Sequence, residues 1–305
     1  MHPHLTRLAA ITLLAATCAL PARAQPEPPP KRVVVDLFLT VQGGKKADLS
    51  NLTPQDFRVT DEGQQQTAES LARADSLPLS VAILLDSSGS RARQLFRAER
   101  EPIKDFLRQA LREQDRAMVV SFNDRAFLDA ELTNEMAVLS AAVDRGTEQA
   151  RGATAHYDAI WSTCEDLDRG RARRILVLAS DAVDNRSKKA DLRGAPDALH
   201  RTSTIVYVIN LLGPDAVRRA GRRGLINALE LAAQTGGLVI SVDNPSEVAD
   251  AYRQIAGIVD AQHVLRYAPP GLTRKSKFHK VKVEILRKGA KVITRAGYIA
   301  PGEQR

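Results

Sequence analysis

Val81-Ala-Ile-Leu-Leu85, followed directly by Asp86-Ser-Ser88-Gly-Ser90, is the stretch that decides how this chain is read. An apolar run without alternation marks a strand buried on both faces, as in a parallel sheet covered by helices above and below. Similar runs recur at 117–122, 174–179 and 204–209, with a shorter one at 238–241. Helical patterns lie between them. Leu95, Phe96, Ile103, Phe106, Leu107, Ala110 and Leu111 share one face; so do Leu225, Ile226, Leu229, Ala232 and Ala233, ahead of the stop at Gly236-Gly237. Val248, Ala251, Tyr252, Ile255, Ile258 and Val259 repeat the pattern. Strands alternating with helices predict an α/β fold with a doubly wound, mostly parallel sheet.

The pattern changes on either side. Upstream, 33–41 reads as a strand, Thr53-Pro54 as a short helical turn, and 57–60 with 65–71 as a hairpin around Asp61-Glu62-Gly63. Downstream, 263–267, 278–286 and 291–298 read as strands, with Val281, Val283 and Ile285 alternating with charged residues. Three strands alone would struggle to bury a core. The two β segments, 32–75 and 262–305, are therefore expected to pack together as a small β-sandwich, with the α/β domain (76–261) inserted between them.

The first residues carry an address. His2 to Arg7 is weakly basic, Leu8 to Leu20 is apolar, and Ala22-Arg23-Ala24 is a small-x-small cleavage pattern. This predicts a signal peptide over 1–24, a Pro-rich tether over 25–31, and an exported protein, periplasmic or secreted. The apolar run is shorter than the ~20 residues needed to span a bilayer, so no transmembrane anchor is expected after cleavage. An uncleaved anchor is the alternative. A lipoprotein is disfavoured because Ala15-Ala-Thr17 lacks the Leu and the small residue expected before Cys18.

Cleavage leaves Cys164 as the remaining cysteine, so stability must come from a core and not from a disulfide. Its place on an apolar face with Ile160, Trp161 and Leu167 suits a small buried hydrophobe better than a nucleophile. The net charge of +8 falls by two with Arg7 and Arg23. Much of the excess lies in the 169–174 and 218–223 arginine clusters, which read as a solvated basic face. No nucleic-acid reading element accompanies them.

Asp86, Ser88 and Ser90 would stand at the carboxyl end of the first buried strand, where open α/β sheets bind ligands. One carboxylate and two hydroxyls are hard oxygen donors suited to Mg²⁺ or Mn²⁺. Taken alone, the stretch also reads as a capped turn into a helix near Arg91. Gly152-Ala-Thr154, before a helix opening at 155–158, and Ser180-Asp181, after the 175–179 run, add oxygen donors at corresponding ends.

In order and separation these residues resemble the von Willebrand factor type A family, whose metal-ion-dependent adhesion site runs Asp-x-Ser-x-Ser, then Thr, then Asp. The match falls on Asp86, Ser88, Ser90, Thr154 and Asp181, and 152–160 is typical of bacterial members. The segments near Val33, 52–57 and 59–63, with 262–267, 279–283 and 296–298, resemble the two ends of the VWFA-related domain described from acidobacteria. The resemblance implies that Ser88, Ser90 and Thr154 bind a divalent metal, while Asp86 and Asp181 mainly hold coordinated water. A partner's carboxylate would complete the octahedron. It also implies that ligation could shift the last helix, 246–260, against the C-terminal strands. This sequence departs from the family in having Ala182 where Gly is common, and in having Arg91 and Arg93 after Ser90. Those arginines should favour an acidic partner.

Catalysis finds little support. Gly-x-Ser-x-Gly is absent around Ser88, a haloacid-dehalogenase-like loop would want a second Asp there, and no Gly-x-Gly-x-x-Gly follows the first strand. The histidines are scattered. The expected function is an exported binding or adhesion module, with no catalytic residue and no organic cofactor. The alternative is a metal-independent interaction module with an idle site. His156 and Tyr157 are expected to pack or face solvent, and Asp158 to support the site or serve as a helix N-terminal charge. The sequence leaves the partner's identity and the oligomeric state open.

Overall fold

A computed structural model describes residues 33–45, 47–89, 97–148, 150–167, 173–191, 194–211, 223–269 and 278–299. The signal segment, the tether and Ser90 to Phe96 lie outside these residues, as do both arginine clusters apart from Arg173, Arg174 and Arg223.

The central sheet is built around β5 (Leu79–Asp86), every residue of which is buried. It pairs in parallel with β6 (Arg116–Phe122) on one side and β8 (Arg173–Ser180) on the other. Beyond β8 lie β9 (Thr204–Asn210) and β10 (Val239–Ser241), both parallel. The outer neighbour of β6 is β7 (Ala126–Thr133), which runs antiparallel. The order β10-β9-β8-β5-β6-β7 reverses direction at β5/β8.

Side-chain alternation along β5 divides two cores. Val81, Ile83 and Leu85 point to one face, where they pack with α1 (Arg100–Ala110), α2 (Met136–Gly146) and α6 (Val248–Ala261). Ala82 and Leu84 point to the other, against α3 (His156–Leu167), α4 (Gly194–Thr202) and α5 (Arg223–Thr235). Buried Cys164 is one of the small apolar residues of this second core. The doubly wound α/β reading therefore holds.

Three local expectations differ. The amphipathic edge strand β7 lacks the apolar run used to find the others, because Phe127 and Leu128 remain exposed. The buried face of α5 is formed by Gly224, Ala228, Leu231, Ala232 and Thr235, which leaves Ile226 and Leu229 half exposed. Likewise, 65–71 is not one hairpin strand. β2 (Phe57–Asp61) turns tightly through Glu62-Gly63 into β3 (Gln64–Gln66), whereas β4 (Ser70–Arg73) joins another sheet.

Two antiparallel four-stranded sheets flank the α/β layer. One has the order β13-β1-β11-β4 and contains β1 (Val35–Gly43), β11 (His263–Tyr267) and β13 (Ala290–Ile293). The other has the order β14-β12-β2-β3 and contains β12 (Phe278–Ile285) and β14 (Gly297–Ile299). Val35, Leu37, Leu39, Leu265 and Tyr267 of the first meet Phe57, Val59, Val281 and Tyr298 of the second in one cluster. On the opposite face of the first sheet, Phe38 and Val264 join the α/β core.

Two arginines, Arg173 buried and Arg295 partly buried, tie the β-sheets to the α/β layer. At the start of β8, Arg173 donates to Gln262 Oε1 at 2.8 and 3.1 Å, to the Ala74 carbonyl at 3.4 Å and to the Val259 carbonyl. Burial lowers its pKa to about 10, which still leaves it charged at neutral pH. Arg295 donates to the Asp36 carbonyl and to Ser203 Oγ, both at 2.7 Å. A hydrogen bond to a charged group contributes about 1.5–3 kcal/mol, and buried acceptors left without a donor cost more. Arg173→Met is therefore expected to destabilise the fold by on the order of 3 kcal/mol in urea unfolding; a change within about 0.5 kcal/mol would contradict this role.

His200 and His263 supply a pH dependence. Burial lowers both pKa values below the usual 6.5. The unfolded chain then binds more protons than the folded one as pH falls through 6.5, so stability must fall with it. The urea midpoint should be lower at pH 5.5 than at pH 7.5, and His200→Gln should reduce the difference.

Candidate functional site

Asp86 ends β5 and Asp181 immediately follows β8, so both stand at the carboxyl edge of the sheet, at the point where strand order reverses. Asp86 is fully buried and Asp181 only 6% exposed. A carboxylate in such a position needs donors on its oxygens. Asp86 Oδ1 accepts the Ser88 backbone N–H at 2.9 Å, and Oδ2 accepts the Ser180 hydroxyl at 2.6 Å. Asp181 Oδ1 accepts the Val183 N–H at 3.1 Å.

Four loops interlock around these residues. Ser87 donates its N–H to the Phe122 carbonyl at 2.8 Å, and the Ser87 carbonyl accepts the Arg151 N–H at 2.8 Å. Gly89 N–H reaches the Gly152 carbonyl at 3.1 Å. Gly152 has φ +84°, a left-handed conformation that favours glycine. Thr154, 1% exposed, is clamped through its backbone: its N–H donates to Asn185 Oδ1 at 2.8 Å and its carbonyl accepts the Asn185 N–H at 3.1 Å. The structure thus gathers Asp86, Ser88, Thr154 and Asp181 at one edge of the sheet. Ser90 lies outside the described residues.

The residue that departs from the family pattern, Ala182, has φ +54°. That is the left-handed conformation for which glycine is the usual residue, and an alanine there carries a strain of about 1–2 kcal/mol. The backbone shape survives, held from outside. An added Cβ on Gly224, near the start of α5, would sit 2.4 Å from the Asp181 carbonyl oxygen, so the helix rests directly on the Asp181-Ala182 backbone.

Of the supporting residues, Asn185 and Asp124 escaped sequence reasoning, whereas Ser180 and Asp158 were noticed without their partners. Ser180 and Asn185 fix Asp86 and Thr154, and Asp124 accepts the Ala153 N–H at 3.2 Å. Asp158 proves to be the anchor of a loop. Its carboxylate accepts the N–H groups of Lys188, Lys189 and Ala190 at 2.9, 2.8 and 2.7 Å, fastening the segment that follows Asp181 onto α3. His156 packs in the interior: it is fully buried, its ring edge-on to Phe122 and Tyr157, and burial lowers its pKa to about 4 despite the opposing charges of Asp86 and Asp184. Resemblance to the family motif is the signal that finds the first set; the partners of these supports become visible once β8 and α3 are placed side by side.

The gathered donors are hydroxyl and carboxylate oxygens, a set that suits a hard divalent cation such as Mg²⁺ or Mn²⁺. Two clefts flank them. One of about 390 Å³ is lined by Tyr157, Ala182, Asp184, Asp191, Arg223 and Asn227. The other, of about 300 Å³, is lined by Ser87, Asn123, Asp129, Arg145, Glu148 and Arg151.

The model of the von Willebrand factor type A domain family matches residues 80–254. No curated protein matches the sequence. Among solved structures, a von Willebrand factor type A protein from Catenulispora acidiphila is similar at 16% identity and TM-score 0.50, over 85% of this chain and 76% of that one. An aerotolerance-related membrane protein from Bacteroides fragilis is similar at 18% identity and TM-score 0.46, over 59% of this chain and 98% of that one. The von Willebrand domain of the pilus tip protein Mfa5 from Porphyromonas gingivalis follows at 11% identity and TM-score 0.47, over 60% and 95%. At such identities the likeness is one of fold. Among the described residues, no helix is long and apolar enough to cross a membrane.

The contact between Gly224 and Asp181 gives a direct test of how the site is held. Gly224→Ala should destabilise the protein by about 1–3 kcal/mol, because the obstacle is backbone. Ile226→Ala, at a half-exposed position on the same helix, should change stability by less than about 0.5 kcal/mol. Thermal melts of the two variants decide it.

Proposed function

The chain belongs to the von Willebrand factor type A domain family, and from that premise we propose that it is an exported binding module that engages an acidic group of a partner through a divalent metal. One observation carries the reading: Asp86 with Ser88, Thr154 and Asp181, oxygen-bearing residues from three separate places in the sequence, are brought to one edge of the sheet by interlocking loops. In this reading Ser88, Ser90 and Thr154 hold Mg²⁺ or Mn²⁺ by their hydroxyls. Asp86 and Asp181 orient the loops and coordinated water. The hydrogen bonds that both oxygens of Asp86 accept favour an orienting role over direct ligation. When bound, the ion supplies an electrophilic position for a carboxylate.

The signal-like character of 1–24 supports export of the module. The α/β domain, 76–261, does the binding, and the β segments 32–75 and 262–305 support it. The loops described above are held by backbone clamps, and the Ser180 hydroxyl that donates to Asp86 is fully buried, out of reach of a substrate, which favours binding over catalysis.

A melting experiment tests the metal. Mg²⁺ or Mn²⁺ at about 100 times its Kd should add ~2.7 kcal/mol of stability relative to chelator. Asp181→Ala should abolish that increment while leaving the protein folded. No metal-dependent shift at millimolar concentrations would support the idle-site alternative. Charge reversal at Arg91 and Arg93 should weaken metal-dependent capture of a carboxylate-bearing surface and leave the metal shift intact.

A further inference from the structure

We propose that Asp61, Glu62 and His279 form a separate transition-metal site, suited to Zn²⁺, on the antiparallel β-sheets. It shares no residue with the loop cluster around Asp86 and does not depend on that reading.

Asp61 is the last residue of β2 and pairs in register with Val281 of β12. His279, two residues before Val281, therefore projects from the same face of the sheet as Asp61. Asp61 is only 4% exposed, and its two oxygens are treated very differently. Oδ2 accepts the Tyr267 hydroxyl at 2.9 Å and the Tyr298 hydroxyl at 2.8 Å. Oδ1 is buried and accepts no hydrogen bond from any described residue. Its neighbour is His279 Nδ1 at 3.6 Å, too far for a hydrogen bond. An acceptor left bare in the interior is destabilising, since it has lost water without gaining a donor. A positive charge placed between these two atoms would remove that cost.

The third group is held in place by an unusual turn. Glu62 has φ +48° and Gly63 φ +80°, so both central residues of the two-residue hairpin loop lie in the left-handed region. Asn or Asp is the common first residue of such a turn, and glutamate there is strained. The conformation folds Glu62 back over β12. Its N–H donates to the Lys280 carbonyl at 2.9 Å, and its Oε1 accepts the Lys280 N–H at 2.7 Å. A carboxylate is thereby fixed beside His279. One ligand atom from each of the three residues lies within 4.8 Å of the others.

The dimensions and donor types fit zinc. Bonds of ~2.0–2.1 Å to nitrogen and oxygen give a tetrahedron whose edge is about 3.3 Å. The Asp61–His279 separation of 3.6 Å is already close to such an edge. An imidazole nitrogen with two carboxylates favours Zn²⁺ over Mg²⁺, which prefers six oxygens in an octahedron. The surroundings supply orientation as well. The His279 ring stacks on Tyr298, with centroids 5.1 Å apart and planes at 18°, while two tyrosine hydroxyls steady Asp61 from behind. Glu62 is exposed and His279 partly so, which leaves a path for the ion to enter. The competing arrangement is a protonated His279 paired with Asp61, in which Glu62 has no part.

Zinc titration of the metal-stripped full-length chain by calorimetry separates the two. Asp181→Ala should retain stoichiometric zinc binding, which places the ion away from the Asp86 cluster. His279→Gln should abolish it, and Glu62→Gln, an exposed change with no folding burden, should weaken it at least tenfold. Tyr298→Phe should cost ~10–100-fold in affinity through the loosened Asp61. Zinc absorption spectroscopy on the Asp181→Ala protein should report nitrogen and oxygen donors with no sulfur. Absence of binding to the folded wild-type chain, its loss in Asp181→Ala, or affinity unchanged in both His279→Gln and Glu62→Gln would overturn the proposal.

Discussion

A fully buried carboxylate at the end of the central strand sets the terms for everything around it. Asp86 cannot stay charged in the interior unless its oxygens are met by donors. The structure meets one from its own loop, through the Ser88 N–H, and the other from the adjacent strand, through the Ser180 hydroxyl. The same two bonds fix the hydroxyl-bearing loop after β5 and align β8, so that Asp181 emerges beside it. Satisfying a buried charge and assembling a binding edge are here a single structural act. It explains why the loops form a chain of mutual dependence: Ser87 with Arg151, Gly89 with Gly152, Thr154 with Asn185.

Ala182 shows how that arrangement tolerates a poor local choice. Its left-handed backbone opposes the preference of an L-residue, yet Gly224 lies against Asp181 and Ala182 with no room for a methyl. The close approach of α5 therefore holds a conformation that glycine would adopt more freely. The left-handed turn at Glu62 follows the same logic, with β12 supplying the restraint through both hydrogen bonds to Lys280. Strain of this kind persists only where neighbours over-determine the backbone.

The sequence made the interior of the sheet legible because strands buried on both faces cannot alternate. β5, β6, β8 and β9 announce themselves as apolar runs, and the residues at the ends of β5 and β8 stand out by contrast. β7 was not legible, since an edge strand with one wet face has no such run. The register of α5 was misread for a related reason: Ile226 and Leu229 are apolar but half exposed, while small residues, Gly224 and Ala228, make the actual contact. Asp86, Ser88, Thr154 and Asp181 could be singled out by their resemblance to the family's metal-site motif. Ser180 and Asp158 could be noticed but not given their partners, and Asn185 could not be found at all, because their roles depend on which loop lies beside which. The group at Asp61 was hidden most thoroughly: its members come from β2, its turn and the distant β12, and nothing in either segment records the pairing.

β8 connects the two ends of the molecule that matter most. Its carboxyl end carries Ser180 and leads into Asp181; its amino end carries Arg173, which grips Gln262 and the Val259 carbonyl where α6 passes into β11. Gln262 in turn donates to the Tyr207 hydroxyl at 2.7 Å, adding β9 to the anchorage. A strand of eight buried or nearly buried residues paired on both sides transmits position well but has no second arrangement to offer. Transmission of a signal needs an element with two states. A displacement of the end of α6 relative to β8 would strain the Arg173 bonds to the Val259 carbonyl and Gln262. Arg173 therefore restrains the junction of α6 with β11, while Arg295 restrains the β-sheets separately at Asp36 and Ser203.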